Sequence, residues 1–147
     1  MNVQIFYNKT PRQEDYEVII SSFAKLVEQV IELPENIEVC LQHMDKNVHG
    51  GIDRVRMNRL AINMNLPLQD VPRVLTHELI HVHQKFKGYL KIDRQGVCTW
   101  HGVKYTDVTP ENFSYDDYVN LPWEVDVRLK EDSVFSQALK IYNKVDK

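Results

Sequence analysis

The sequence predicts a mixed α+β fold, on three observations. Apolar residues recur at helical spacing in three long stretches. Short stretches of alternating or continuous apolar character lie between them. Gly or Pro punctuates most of the junctions. In chain order the prediction is a helix, strands, a helix, strands, a loop and a last helix, an arrangement of the α+β type. The length of 147 residues suits a single domain over residues 1–147. Five Gly and six Pro leave no composition break to mark a linker, and there is no internal repeat.

The first helix is predicted over residues 12–31. Thr10-Pro11 is a start signal, and Tyr16, Ile19, Ile20, Phe23, Leu26, Val27, Val30 and Ile31 repeat at helical spacing. Leu33-Pro34 ends it, and residues 37–41 alternate as a half-buried strand. His49-Gly50-Gly51 reads as a turn, followed by strands over residues 53–57 and 60–64. Asp70 is placed to cap a helix over residues 71–87, with Pro72 tolerated in its first turn and Gly88 as its stop. Residues 90–92 and 96–105 read as strands, and the polar, aromatic stretch 107–120 as a loop. Leu121-Pro122 opens a last helix over residues 123–142.

Composition excludes several classes. Eighteen basic and 21 acidic residues give a net charge of −3, without the basic excess of a protein that grips nucleic acid. No apolar run approaches the roughly 20 residues that cross a bilayer, and the N-terminus carries no secretory signal pattern, so a cytoplasmic location is expected. Cys40 and Cys98 are too few and too far apart for a disulfide scaffold or a four-cysteine zinc site. They are expected to pack as small apolar residues.

The chemistry is concentrated in Thr76-His77-Glu78-Leu79-Ile80-His81-Val82-His83-Gln84. His77, Glu78 and His81 form His-Glu-x-x-His inside the predicted second helix. Two histidines four apart on a helix differ by about 40°, so their rings sit one turn apart on one face. Neutral imidazole is a good zinc ligand, and the neighbouring glutamate can reach a water on such an ion and take its proton. Val74, His77, Glu78, His81 and Lys85 share this side, and Leu75, Leu79, Val82 and Phe86 form a separate apolar stripe. The competing reading is a merely solvated polar face. His83 lies about 240° round the helix from His77 and is expected to pack elsewhere or to support the site from outside.

A catalytic zinc needs a third protein ligand. Gln84 and Lys87 stand where a local extension of the motif would carry its further glycine and histidine, so that extension is absent. Glu124, in the first turn of the last helix, is the candidate, with Asp126 and His101 as alternatives. Arg128 lies one turn after Glu124, where it can orient or neutralise it. A glutamate there can also simply favour the positive end of the helix dipole.

His-Glu-Leu-Ile-His-Val-His-Gln, followed some 40 residues later by Leu-Pro-Trp-Glu-Val-Asp, resembles the zincin-like metallopeptidases of the branch whose third ligand is glutamate. The likeness spans residues 37–140, with only the motif residues specific, and is to minimal single-domain members of bacteria and phages. It implies a zincin-like fold: a motif helix against a small mixed or antiparallel sheet, and a C-terminal helix bringing the glutamate. It implies Zn2+ held by His77, His81 and Glu124, with Glu78 as general base. It also implies an edge strand before the motif helix that pairs with extended substrate. Residues 60–65 are placed for that role, or for that of an ordinary core strand. Family members often carry an oxyanion donor between the second histidine and the glutamate. His101, Tyr105, Tyr115 and Tyr118 lie in that stretch, and Trp100-His101-Gly102 allows close backbone approach at its glycine.

The expectation is a zinc metallopeptidase acting on a peptide or protein substrate, with Glu78 as base and His101 or a tyrosine such as Tyr118 assisting. Two alternatives stand beside it: a non-proteolytic protein that keeps a zinc site for binding or structure, and a hydrolase of non-peptide amides. No nucleic acid or membrane partner is expected.

Overall fold

The computed structural model describes residues 1–7, 13–45, 48–52, 56–105 and 114–145. Among these the chain is mixed α+β, with four α-helices and two small sheets. The order is β1 (Asn2–Tyr7), α1 (Gln13–Glu28), β2 (Asn36–Gln42), β3 (Gly50–Ile52) and β4 (Arg59–Asn63). A 3-10 turn (Leu68–Asp70) then enters α2 (Val71–Phe86), followed by β5 (Leu90–Ile92), β6 (Cys98–Trp100), β7 (Val103–Tyr105), α3 (Tyr115–Val119) and α4 (Pro122–Val145).

The first sheet has the order β1-β2-β4-β3, parallel except for β3, which runs antiparallel to β4. Parallel pairing of β1 with β2 requires a crossover, and α1 supplies it. Ile37, Val39 and Leu41 of β2 alternate inward, level with Leu60 and Ile62 of β4. They join Ile20 and Val27 of α1, Leu75, Leu79 and Val82 of α2, and Val127, Val134 and Ala138 of α4 in one buried cluster. Each fully buried Leu, Ile or Val side chain contributes about 1.5–3 kcal/mol. The opposite face of the sheet is polar: Glu38 accepts from Arg56 and Arg59, and the Arg59 guanidinium lies over the Phe6 ring.

The second sheet, β5-β6-β7, is antiparallel. Leu90 and Cys98 pack with Leu121 and Trp123 in a smaller cluster, and Tyr105 meets the Trp123 ring edge-on. This contact fixes the start of α4, and with it the position of Glu124.

Several boundaries differ from expectation for identifiable reasons. β1 was not foreseen; it gains its partners only when α1 brings β2 beside it. His49-Gly50-Gly51 is not a simple turn, since Gly50–Ile52 is a strand held by β4. Residues 53–55 of the expected next strand lie outside the described residues, and the chain turns at Met57 and Asn58. β4 is no edge strand, because β2 and β3 pair on its two sides. Of the first helix's expected start, residues 10–12 lie outside the described residues; α1 ends at Glu28, and in the turn that follows the Ile31 N–H still donates to the Val27 carbonyl at 3.0 Å. Asp70 stands at the N-cap position of α2 as expected, but it is also the last residue of the 3-10 turn and its side chain makes no capping bond. Gly88 does end α2, at φ 77°, with the Tyr89 N–H donating back to the Gln84 carbonyl at 2.9 Å. The expected strand 96–105 folds back on itself at His101 and Gly102, both at positive φ as a two-residue hairpin turn requires. Residues 107–113 of the expected loop lie outside the described residues. Its end forms α3, where the Ser114 hydroxyl accepts from Asp117 N–H and the Asp117 carboxylate accepts from Ser114 N–H.

Candidate metal centre

α2 presents His77 and His81 one turn apart, with ring centroids 5.1 Å from each other. α4 crosses beside them and brings Glu124 in from its first turn. One Glu124 oxygen lies 3.0 Å from His81 Nε2, and the other lies 3.6 Å from His77 Nε2. The ligand atoms of these three residues all fall within 4.8 Å of one another, close enough to hold one metal ion. The solvated-face alternative fails on burial, since His81 is 3% exposed, Glu124 5% and Glu78 6%. Phe86 departs from the expected apolar stripe and is exposed, and Lys85 is buried with its Nζ donating to the Arg56 carbonyl.

The outer nitrogen of each ring is also held. Glu131 Oε1 lies 2.8 Å from His77 Nδ1, and Gln84 Oε1 lies 2.8 Å from His81 Nδ1. The Gln84 amide nitrogen donates to the Trp123 carbonyl and to Asp126 Oδ2, both at 2.9 Å. With its nitrogen thus engaged, the amide oxygen is left to accept, so Nδ1 of His81 carries a proton, and Nε2, which meets Glu124, is the nitrogen the neutral ring would offer to a metal. Glu131, an acceptor only, imposes the same tautomer on a neutral His77. Two imidazole Nε2 atoms and a carboxylate form a donor set that zinc takes in sites with three protein ligands, and support of the outer nitrogens is usual there. The residues therefore fit such an ion.

The cluster's electrostatics favour positive charge. Burial alone would lower the His77 pKa, but hydrogen bonding to Glu124 and Glu131 outweighs it and raises it to about 10. His81 is raised as well: burial opposes this, and Glu124 overcomes it. Burial pushes the Glu124 carboxyl up, yet bonds from the two imidazoles hold it well below the usual carboxylate range. Burial raises the Glu78 carboxyl; Glu124 and Glu131 add to this, and the imidazoles oppose it.

Apart from the buried His81, these groups lie on an open cleft of about 570 Å³ whose lining includes His77, Glu78, Glu124, Glu131, Gly50 and Arg128. Tyr115 and Tyr118 of α3 form part of its wall. The Tyr118 hydroxyl is raised by burial and by the neighbouring Glu124 carboxylate.

The other candidate residues fall elsewhere. Asp126 bonds Gln84 and Lys130 rather than a ring of the cluster. His101 occupies the hairpin turn with its ring stacked on Tyr89 at 4.9 Å, and it is not among the described residues lining the cleft. Tyr105 packs on Trp123. His83 Nδ1 meets the Glu32 carbonyl at 2.6 Å, on another side of α2. Arg128 makes no ion pair with Glu124, whose oxygens both face the histidines. Cys98 is buried and Cys40 partly so. Gln84 and Glu131 went unforeseen as supports, although each had a signal. Gln84 follows His81 by three residues, and Glu131 follows Glu124 by two turns on the same face of α4.

Scans of the chain against protein-family models, curated proteins and solved structures return no match.

Proposed function

We propose that the protein is a zinc-dependent metallopeptidase of the zincin type, with His77, His81 and Glu124 as ligands and Glu78 as general base. The observation that supports this reading most is the meeting of the three donor groups from α2 and α4 beside an open cleft that His77 and Glu124 line, with a buried glutamate next to them. Zinc held there would polarise a scissile carbonyl and acidify a water. Glu78 takes the proton of the attacking water on a carboxylate oxygen and delivers it to the leaving amine. Glu131 and Gln84 hold the two rings in the tautomer that presents Nε2. Tyr118, on the cleft wall, supplies a hydroxyl donor to the developing oxyanion. Gly50 of β3 also lines the cleft, and β3 lies at the end of the strand order. An extended peptide can add to that edge through backbone hydrogen bonds.

Metal analysis and turnover test the reading together. Purified wild type carries one equivalent of zinc, and His77→Ala and Glu124→Ala lose it. Glu78→Gln keeps zinc and fold but cleaves a peptide library at least about 100-fold more slowly. Equal zinc binding by Glu124→Ala refutes the ligand set, and undiminished cleavage by Glu78→Gln refutes the base. A wild type that binds zinc yet cleaves nothing is the outcome expected of a structural tie between α2 and α4.

A further inference from the structure

Two guanidiniums line the cleft, and they differ in what they meet. Arg73 is committed: its Nε lies 3.1 Å from Glu131, its terminal nitrogen pairs with Asp132, and it covers the Phe135 ring. Arg128 is exposed and makes no ion pair or hydrogen bond with any described residue. On a helix this is unusual company to leave unused, because acids stand at three of the four local pairing positions, Glu124 one turn before it and Glu131 and Asp132 one turn after. All three are taken. Glu124 faces both imidazoles, Glu131 is divided between His77 and Arg73, and Asp132 is held by Arg73. The local acids are thus engaged elsewhere, and among the described residues Arg128 is left as an unpaired, permanently charged fork on the cleft wall.

Resting on the peptidase reading of this site, we infer that Arg128 makes the cleft select substrates bearing a carboxylate close to the bond that is cut. Arg128 stands one turn, about 6 Å, along α4 from Glu124. An extended peptide advances about 3.3–3.6 Å per residue, so the recognised group lies within about two residues of the scissile bond. A guanidinium fork grips a planar carboxylate in two parallel hydrogen bonds. The carboxylate comes either from an Asp or Glu side chain or from the substrate's own C-terminus, and the chemistry at Arg128 is the same for both.

The test uses the zinc-loaded full chain and a neutral quenched peptide series. Each member carries a single glutamate, moved along the peptide, or glutamine at the same place, and each is made as C-terminal acid and as amide. Wild type is expected to favour the acidic member by about fivefold to tenfold in kcat/KM, the scale of one partly exposed charge pair. Arg128→Gln collapses that ratio towards one, and Arg128→Glu inverts it in favour of a lysine peptide. Arg94→Gln, which removes an exposed cation in the turn between β5 and β6, keeps the ratio and controls for net charge. A preference that follows the glutamate identifies a side chain, and one that follows the acid over the amide identifies a C-terminus. Binding of the same peptides to the zinc-loaded Glu78→Gln protein, read by fluorescence anisotropy, gives the charge preference without turnover. Charge-selective binding that depends on Arg128, with no peptide cleaved by wild type, sinks the peptidase reading and keeps this inference. Cleavage with no acidic preference, or with one unchanged in both Arg128 variants, overturns the inference and keeps the peptidase.

Discussion

Gln84→Met tests whether the support behind His81 is energetically real. Gln84 is completely buried and bridges three groups: His81 Nδ1, the Trp123 carbonyl and Asp126. Methionine has similar bulk and a flexible chain, so the change removes hydrogen bonds with little loss of packing. Asp126 keeps its bond from Lys130, and the Trp123 carbonyl, inside α4, keeps its helical bond, but the His81 N–H loses its partner. An orphaned buried group costs about 1–3 kcal/mol, which is the expected loss from the metal-free fold. Zinc affinity is expected to fall about 10- to 100-fold, because the ring is no longer held in its ligating tautomer. Urea unfolding in the presence of a chelator reads the first effect, and competition against a chromophoric zinc indicator reads the second. Gln84→Glu is the companion variant. It still accepts from His81 but sets a second carboxylate against Asp126, so it loses stability while holding zinc better than Gln84→Met. A folded Gln84→Met protein whose zinc affinity stays within about twofold of wild type refutes the argument.

Three further outcomes follow from the geometry. Because His77 is raised to about 10, the metal-free ring carries its extra proton at pH 7; zinc must displace it, so affinity rises with pH towards 10. Calorimetric zinc titration in buffers of different ionisation enthalpy should show at least about one proton released, and none released would contradict the shift. A Cβ on Gly50 would stand 2.6 Å from the Ala61 carbonyl and 3.2 Å from the Glu78 side chain. Gly50→Ala should therefore lose about 1–3 kcal/mol and reduce turnover more than zinc affinity, as steady-state kinetics beside metal analysis will show. Asn63 is 1% exposed; it accepts from Met44 N–H and Asn65 N–H and donates to the Val48 and Asp45 carbonyls. Asn63→Leu should cost about 2–4 kcal/mol by thermal melt, with early protease cleavage near Met44.

The sequence carried the helices and the motif well, because their signals are local. The apolar repeat of α2, its Gly88 stop and the four-residue spacing of its histidines each depend on one segment alone. The first sheet was less legible. β1 and β3 are strands through their partners, and nothing within Gly50-Gly51-Ile52 distinguishes an edge strand from a turn. The helix α3 was legible in principle, since Ser114-x-x-Asp117 is a capping box, but aromatic and polar composition argued for loop. The supports of the site were hidden for another reason. Gln84 acts by turning its amide between two helices, and Glu131 by reaching a ring more than fifty residues earlier in the chain. Only packing makes such partners. His101 misled because a glycine beside a histidine suggests a ligand approach, whereas the pair builds a hairpin turn.

The seam between α2 and α4 is a poor place to seek stability, which bears on why the cluster is there. Two imidazoles and the carboxylates of Glu78, Glu124 and Glu131 share this largely buried space. Desolvating such groups costs several kcal/mol each, and apolar residues of equal volume often serve a fold as well or better. The surrounding residues would permit that substitution, since Leu75, Leu79, Val127 and Val134 already pack the same two helices together. Yet among the described residues no buried side-chain nitrogen or oxygen lacks a hydrogen-bond partner, so the polar network is complete. That network depresses the Glu124 and Glu131 carboxyls and raises that of Glu78, and its two histidines and Glu124 form a group that could hold a metal ion. Replacing His77, His81 and Glu124 together by Leu, Leu and Met should abolish metal binding while leaving the chelator-treated fold no less stable than wild type.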